Sequence, residues 1–304
     1  MALPLNLRIA ISSLSAHKLR AILAMLGVFL GALAFTGVQN ISQMMVRNAE
    51  IETEKLGPNL YAVVAGKVRF RKSGSARIFN YARTFTVSDA KALAAGVPSV
   101  LNYTPFVVQG MPVRGGGNAV TAEVTASWES YTDIRSHKPD IGRFFTREEV
   151  ERSAKVCVLG RKIATRLFGT PEAALERMVY IYRAGFRVIG VMEEKGRDLS
   201  GDDQDEILLM PLTTFMRRAS NQYWIDGVFM TLAKGADRAM ADESVNDIMR
   251  RRHRIGPGED DDFSTLSAKD AIQLQTQALD LMQTLGGIAS GVSFAVGASA
   301  SFPS

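Results

Sequence analysis

The chain has 304 residues, a formal net charge of +5 at pH 7 and one cysteine. This length allows one substantial domain, or two smaller ones, beyond any membrane segment. The modest charge gives no reason to expect a nucleic-acid partner, and a single cysteine excludes an internal disulfide, so an exported domain would depend on its hydrophobic core.

The first predicted element is a transmembrane helix at residues 19–44. No charged residue occurs between Arg20 and Arg47, and the apolar part of this stretch, 21–38, is long enough to cross a bilayer as a helix. Basic residues precede it (Arg8, Lys18, Arg20) and acidic residues follow it (Glu50, Glu52, Glu54). The positive-inside rule therefore predicts a cytoplasmic N-terminus in the inner (plasma) membrane and a main domain outside it.

Residues 1–18 are predicted to form a cytoplasmic amphipathic helix, because Leu7, Ile11 and Leu14 recur at helical spacing. This helix would lie on the inner membrane face or extend the spanning helix, and the sequence leaves both readings open. A cleaved signal peptide is an alternative, since Ala32-Leu33-Ala34 offers an A-x-A cleavage site. The uncharged character that continues beyond Ala34 favours the anchored reading.

A stalk helix at 45–56 is predicted to continue out of the membrane and to stop at Leu56-Gly57-Pro58, where proline forbids a further turn. The extracytoplasmic domain then extends to residue 276. Predicted strands cover 60–64, 104–108, 121–125, 155–159, 179–182, 186–192, 207–210 and 228–232, and predicted helices cover 88–95, 162–168 and 239–252. Residues 67–83 are expected to form a loop or an exposed hairpin, and Ser88 is the expected N-cap of its helix.

These short, irregularly alternating elements indicate an α+β domain, with two subdomains, rather than a doubly wound sheet. Arg250-Arg251-Arg252-His253-Arg254 is interpreted as a solvated helix end, and Cys157 as a buried strand residue. Charge is absent again from Leu281 onwards, which predicts a partial second transmembrane helix within 277–304.

No constellation of catalytic groups is visible in the sequence. The chain has no phosphate-binding G-x-x-x-x-G-K-[ST] loop, and no G-x-G-x-x-G follows a strand. His17, His137 and His253 lack ligand-spaced partners, and the acidic stretch 202–206 lacks the glycine and final glutamate of a calcium loop. Ser127, Ser153 and Ser264 lack a nucleophile elbow. We therefore predict no catalytic, cofactor-binding or metal-binding residues, no cofactor, and a protein that is not an enzyme.

Several distinctive motifs follow one another along the chain: 19–27 at the first predicted membrane helix, Leu56-Gly57-Pro58-Asn59-Leu60, Gly142-Arg143-Phe144-Phe145-Thr146, 154–160, Leu167-Phe168-Gly169, 186–191, Met210-Pro211-Leu212 and Asp262-Phe263. In this order they resemble the MacB/FtsX-like permeases of ABC transporters, with a MacB-type periplasmic core domain. The sequence departs from that pattern after Gly297, which predicts a second helix that is truncated relative to the family.

The resemblance implies a non-catalytic permease subunit, or a fragment of one. A separate cytoplasmic ATPase would hydrolyse ATP, and residues 39–56, which include the stalk helix, would transmit the resulting movement to the periplasmic domain in efflux or export. Implied partners are that ATPase, a second copy or related permease, a periplasmic adaptor and the lipid bilayer. The alternative function is an anchored or signal-cleaved periplasmic binding or scaffold module without transport activity.

Overall fold

The computed structural model describes residues 59–70, 76–79, 82–196 and 203–267, together with scattered helical residues between Lys18 and Arg47. The chain divides into two compact units, Met1–Ala49 with Ile272–Ser304, and Glu50–Ala271. No helix in the described part of the chain is both long enough and apolar enough to span a bilayer. Apart from those scattered positions, the predicted segments 1–18, 19–44, 45–56 and 277–304 lie outside the described residues.

Strands dominate the second unit, as its β-branched sequence predicts. Their bounds are β1 Leu60–Ala65, β2 Lys67–Phe70, β3 Ala76–Phe79, β4 Val100–Gly115, β5 Asn118–Ser127, β6 Pro139–Gly142, β7 Val156–Leu159, β8 Met178–Ile181, β9 Ala184–Met192, β10 Ile207–Pro211, β11 Gly227–Leu232 and β12 Phe263–Ser267. The helices are α1 Val87–Gly96, α2 Tyr131–Ile134, α3 Arg147–Glu151, α4 Arg161–Phe168, α5 Leu212–Thr214 and α6 Arg238–His253. A 3-10 turn at Glu172–Ala174 and a π-helical turn at Phe215–Ala219 complete the set.

The first subdomain, here called the junction subdomain, is an antiparallel sheet in the order β12-β1-β11-β4 with helices α1 and α6 packed on it. Only the first part of β4, up to Phe106, pairs with β11. Tyr61 and Phe85 are buried together with residues of both helices, among them Leu93 and Val245. The two helices therefore enclose one face of this sheet.

The second subdomain is a closed ring of strands, here called the barrel. The second part of β4 pairs with β5 and β8, and the pairings β5-β10, β10-β7, β7-β9 and β9-β8 complete the circle. Side chains of β7 alternate between two buried clusters: Cys157 packs in the larger core, whereas Val156 and Val158 pack with Phe145 and other residues. Strand β4 belongs to both subdomains and connects them covalently and by hydrogen bonds.

The structure confirms a domain of mixed strands and helices and corrects several of its predicted elements. Helix α1 begins after Thr86, not Ser88, because Thr86 and Asp89 form a capping box. Residues 67–70 and 76–79 pair as the expected hairpin, and Gly169 ends α4 with a φ of 87°. Strands β6 and β12 and helices α2, α3 and α5 were not predicted, and β4 is far longer than the predicted strand at 104–108.

Candidate functional site

The two connections of the domain to the rest of the chain leave it side by side. Strand β1 is the first element after the predicted stalk, and β12 is the last before the C-terminal apolar segment. The two strands are antiparallel neighbours, and Tyr61 lies opposite Ser267. Both chain connections therefore join the domain at the same edge of the junction subdomain.

A group of polar side chains, here called the junction cluster, fastens both strands to the first turn of α6. It consists of Tyr61, Arg238, Asp242 and Ser267. The Tyr61 hydroxyl donates a 2.5 Å hydrogen bond to Oδ1 of Asp242, and Nε of Arg238 lies 3.3 Å from Oδ2 of the same carboxylate. Arg238 also donates through Nη1 to the Ser267 hydroxyl. One helical turn therefore contacts the beginning of β1 and the end of β12.

Burial makes the Tyr61 bond a strong constraint. The Tyr61 side chain is 1% exposed. Burial, and then the hydrogen bond to Asp242, raise the pKa of Tyr61 above its usual value. The hydroxyl therefore stays protonated and remains a donor at any physiological pH, and the Asp242 carboxylate is held between Tyr61 and Arg238.

The other end of α6 is fastened by a second group, the helix-end cluster of Asp89, Arg252, His253 and Asp262. Nε of Arg252 lies 2.5 Å from Oδ1 of Asp89 on α1, and Nδ1 of His253 lies 2.9 Å from both Asp262 oxygens. Asp262 immediately precedes β12. The sequence interpretation of residues 250–254 as a solvated helix end is therefore wrong for His253, whose side chain is 6% exposed. Arg251 and Arg252 are exposed as expected, although Arg252 is paired with Asp89.

The acidic and basic side chains of the helix-end cluster stabilise one another's charged forms. Burial alone would raise the pKa of Asp89, but the nearby His253 ring, together with hydrogen bonds from Thr86 and Arg252, outweighs it and lowers the pKa below its usual range. Asp89 and then Asp262 raise the pKa of His253, against the effect of burial. Because Nε2 of His253 is 3.6 Å from Asp89 and has no hydrogen-bond partner, their attraction is one of charge.

The residues considered for catalysis or metal binding are dispersed in the described structure. His137 is buried, with Nε2 3.1 Å from the Glu193 carbonyl oxygen, and lies in the barrel subdomain rather than with His253. Cys157 is fully buried, and burial raises the pKa of its thiol. Ser264 donates to the Gly66 carbonyl as part of the β12 edge. Across the described ranges, no three His, Cys, Asp or Glu side chains are grouped so that they could hold a metal ion.

The structure describes the acidic stretch 202–206 from Asp203 onwards, where it leads into strand β10. Asp205 is 1% exposed and accepts hydrogen bonds from the backbone N–H groups of Lys195 and Gly196. It fixes the turn that enters β10. The carboxylate of Asp205 therefore has a structural role.

Sequence reasoning missed the junction cluster because its members are far apart in the chain. Tyr61 and Asp242 are separated by 181 positions. The one local signal was the i,i+4 pair of Arg238 and Asp242 at the start of a predicted helix, a spacing that usually indicates only a surface ion pair.

The fold and the junction cluster define a class of protein: an inserted domain that receives both of its chain connections at one sheet edge. The particular family follows from comparison with known proteins. A family model described as "MacB-like periplasmic core domain" matches residues 21–248. The chain therefore belongs to that family, and it is a MacB/FtsX-like ABC transporter permease sequence with a periplasmic core domain.

Similar proteins agree with this assignment. The macrolide export ATP-binding/permease protein MacB of Chlorobaculum tepidum is 28% identical over 285 residues, which cover 91% of this chain and 41% of that protein. The protein of the same name from Hyphomonas neptunium is 30% identical over 227 residues, 75% of this chain and 34% of that protein. The chain thus spans about two fifths or less of the length of these curated relatives.

Two solved structures share the fold. The periplasmic region of MacB from Actinobacillus actinomycetemcomitans superposes with a TM-score of 0.58 at 22% identity, covering 72% of this chain and 94% of that one. The extracellular domain of the noncanonic ABC-type transporter YknZ from Gram-positive bacteria gives 0.54 at 16% identity, covering 69% and 100%. These likenesses establish the architecture of the described domain.

Proposed function

We propose that this chain is a non-catalytic permease subunit, or part of one, that transmits the ATP-driven movement of a separate cytoplasmic ATPase to its periplasmic domain in efflux or extracytoplasmic export. Its domain boundaries would be those of the sequence: an amphipathic helix at 1–18, a membrane helix at 19–44, the periplasmic core at 45–276 with its stalk at 45–56, and a second membrane segment at 277–304. The N-terminus would be cytoplasmic.

The adjacency of β1 and β12 carries this proposal. Because the junction cluster ties both strands to α6, a movement of the flanking segments would turn the junction subdomain as one body. Strand β4 would pass the movement to the barrel, since it pairs with β11 in one subdomain and with β5 and β8 in the other. A scaffold module would have no need of such a connected path.

The proposed partners are the ATPase, a second copy of the chain or a related permease, a periplasmic adaptor and the lipid bilayer. The barrel offers one surface suited to a protein partner. On β8 and just after it, Met178, Tyr180 and Tyr182 are 42%, 46% and 62% exposed. Tyrosine and methionine are enriched at protein interfaces, and a ridge of exposed apolar side chains is uncommon on an isolated domain.

Distance measurements on a complete transporter test the proposal. A spin label would be attached to Leu101→Cys, an exposed β4 position, in a Cys157→Ser background, and the chain would be co-purified with its ATPase in lipid nanodiscs. We expect the distance between labels on two copies to change when ATP and Mg²⁺ are added. Failure of the ATPase to co-purify, or a distance unaffected by ATP, would contradict the proposal.

The scaffold alternative has its own readout. N-terminal sequencing of the mature protein would reveal a chain that begins at Phe35 if the apolar stretch is a cleaved signal. A mature chain that retains residues 1–34 is expected from the anchored permease.

A further inference from the structure

A cavity of about 340 Å³ lies beside the point where β4 passes from one subdomain to the other. It is lined by Ala82, Arg83, Val107, Val108, Gln109, Gln222, Trp224 and Asp226. This volume is within the range of small-molecule sites in proteins, which combine apolar walls with a few polar groups. The junction cluster contributes no residue to it, so the coupling role proposed above leaves this cavity unexplained.

Asp226 gives the cavity a carboxyl group that has no ion-pair partner among the described residues. Its Oδ2 accepts a 2.7 Å hydrogen bond from the Val108 N–H, and Oδ1 has no hydrogen-bond partner among those residues. Burial raises the pKa of Asp226, although the Val108 bond opposes this. A carboxylate in such surroundings gains more from a cation than one in water, because the cation replaces lost solvation.

Trp224 supplies an aromatic wall that is fixed in position. The Gln222 amide donates to the Trp224 carbonyl at 3.0 Å, and Gln222 also accepts a bond from Ser220. The Tyr223 ring meets the indole edge to face, with ring centroids 5.4 Å apart. The loop therefore presents the indole without needing a ligand to order it.

A positively charged side chain already lies against the aromatic wall of the cavity. The guanidinium carbon of Arg83 lies 5.0 Å from the centroid of the Trp224 ring, which is a cation–π contact. Arg83 is an exposed residue that makes no ion pair among the described residues, so little besides Trp224 holds it there. An external cation could take this place, and Arg83 would then move into solvent.

We infer that this cavity is a binding site for small organic cations, in which Trp224 contacts the cationic group, Asp226 neutralises it and Arg83 is a displaceable internal occupant. The ligand class is an amine or quaternary ammonium carried on a compact apolar group. This inference goes beyond the proposed coupling role and would stand if that role were wrong.

Intrinsic fluorescence of the full-length chain in a nonionic detergent provides the test. The chain has two tryptophans, so a Trp128→Phe background leaves Trp224 as the reporter. The probe is benzyltrimethylammonium, with benzyl alcohol as its uncharged counterpart, in mildly alkaline buffer so that Asp226 is ionised. We expect saturable binding of the cation, and no saturation by the alcohol, in titrations up to about 10 mM.

Two substitutions should act in opposite directions. Asp226→Asn keeps an acceptor for the Val108 N–H but removes the charge, and should weaken binding about tenfold. Arg83→Ala removes the internal occupant and should tighten binding several-fold, whereas Arg183→Ala, which removes a cation outside the cavity, should leave it unchanged. Because Arg83 is exposed, its variant should fold even if Asp226→Asn does not.

Three results would overturn the inference. They are the absence of saturable cation binding, equal binding by the Asp226→Asn variant at unchanged melting temperature, and an equal gain in affinity from Arg83→Ala and Arg183→Ala. The last would show attraction by net charge alone.

Discussion

At the scale of single residues, helix α6 is fastened to its neighbours by polar side chains at both of its ends. Its first turn holds Tyr61 and Ser267 through Asp242 and Arg238, and its last turn holds Asp89 through Arg252. The helix is about 24 Å long at 1.5 Å per residue, and only its first turn contacts both strands that adjoin the chain connections, whereas its last turn contacts α1 and Asp262. Removal of one bond should therefore have a measurable cost.

The first prediction concerns Tyr61→Phe, which removes a hydroxyl and little volume. The Asp242 carboxylate would lose its 2.5 Å donor while remaining partly buried, which should lower the free energy of unfolding by about 1–3 kcal/mol. For a domain of this size the melting temperature should fall by several degrees, measured by differential scanning fluorimetry. Tyr223→Phe is the matched control, because that side chain is 71% exposed. Equal melting temperatures for the two variants would show that the Asp242 bond contributes nothing.

The second prediction concerns pH and His253. Its pKa is raised above 6.5 in the folded state, so the stability it provides is fully present below pH 6.5 and is lost as the pH rises through the folded pKa. Asp89 has a pKa below 3.8, so its contribution is present above that value and is lost on further acidification. The pair should therefore stabilise the domain most between about pH 4 and 6.5.

A comparison of His253→Gln with His137→Gln isolates this effect. The destabilisation caused by His253→Gln should shrink as the pH is raised from mildly acidic to alkaline. His137 should give the opposite trend, because burial lowers its pKa and its contribution is lost as the pH falls below 6.5. Melting curves across this range provide the measurement, and parallel pH profiles for the two variants would rule out the assigned charge states.

At the scale of secondary-structure elements, the backbones of β6 and β9 pack closely where the two strands lie side by side in the barrel. A Cβ atom added to Gly190 would lie 2.4 Å from the Arg143 carbonyl oxygen and 3.1 Å from that of Ile141. Both obstacles are backbone atoms, which cannot rotate away as a side chain can. The glycine is therefore required by the approach of β6 and not by its own backbone conformation.

The third prediction follows from this contact. Gly190→Ala should destabilise the domain by about 2–4 kcal/mol or prevent its accumulation, because β6 must move away from β9. Gly110→Ala is the control within another strand, since no heavy atom lies within 4 Å of its added Cβ. Expression level and melting temperature distinguish the two, and a Gly190→Ala protein as stable as the Gly110→Ala protein would disprove the packing argument.

Elements with strong apolar character were predictable from sequence, whereas those defined by their neighbours were not. Strands β1, β7 and β10 are fully buried and β9 is mostly buried, and their apolar runs indicated them. By contrast, β12 is mostly half-buried and polar, and β4 contains Pro105 and Pro112, which normally argue against a central strand. Pro105 is tolerated because β5 begins to pair with β4 only at Val107.

At the scale of the whole molecule, the shared strand β4 joins the two subdomains covalently and by hydrogen bonds. Motif order identified the family and its α+β domain from sequence, because buried apolar segments and glycine turns are local features. The site was not predictable in the same way: it consists of an edge where residues about 200 positions apart pair, and such proximity has no local signature. The function proposed for the chain depends on that edge.

The last prediction tests whether force passes through the junction cluster. Arg238→Gln removes the charge that contacts both Asp242 and Ser267. In the complete transporter labelled at Leu101→Cys, ATP hydrolysis should continue, but the ATP-driven distance change should be largely lost. A coupling free energy reduced by about 1 kcal/mol would lower the equilibrium constant for the moved state about fivefold. Arg218→Gln, an exposed arginine on the π-helical turn, serves as the control. If the Arg238 variant moves as fully as the Arg218 variant at equal ATP turnover, the junction cluster does not transmit the movement. Its central contacts could then be removed without effect on the labelled position of β4.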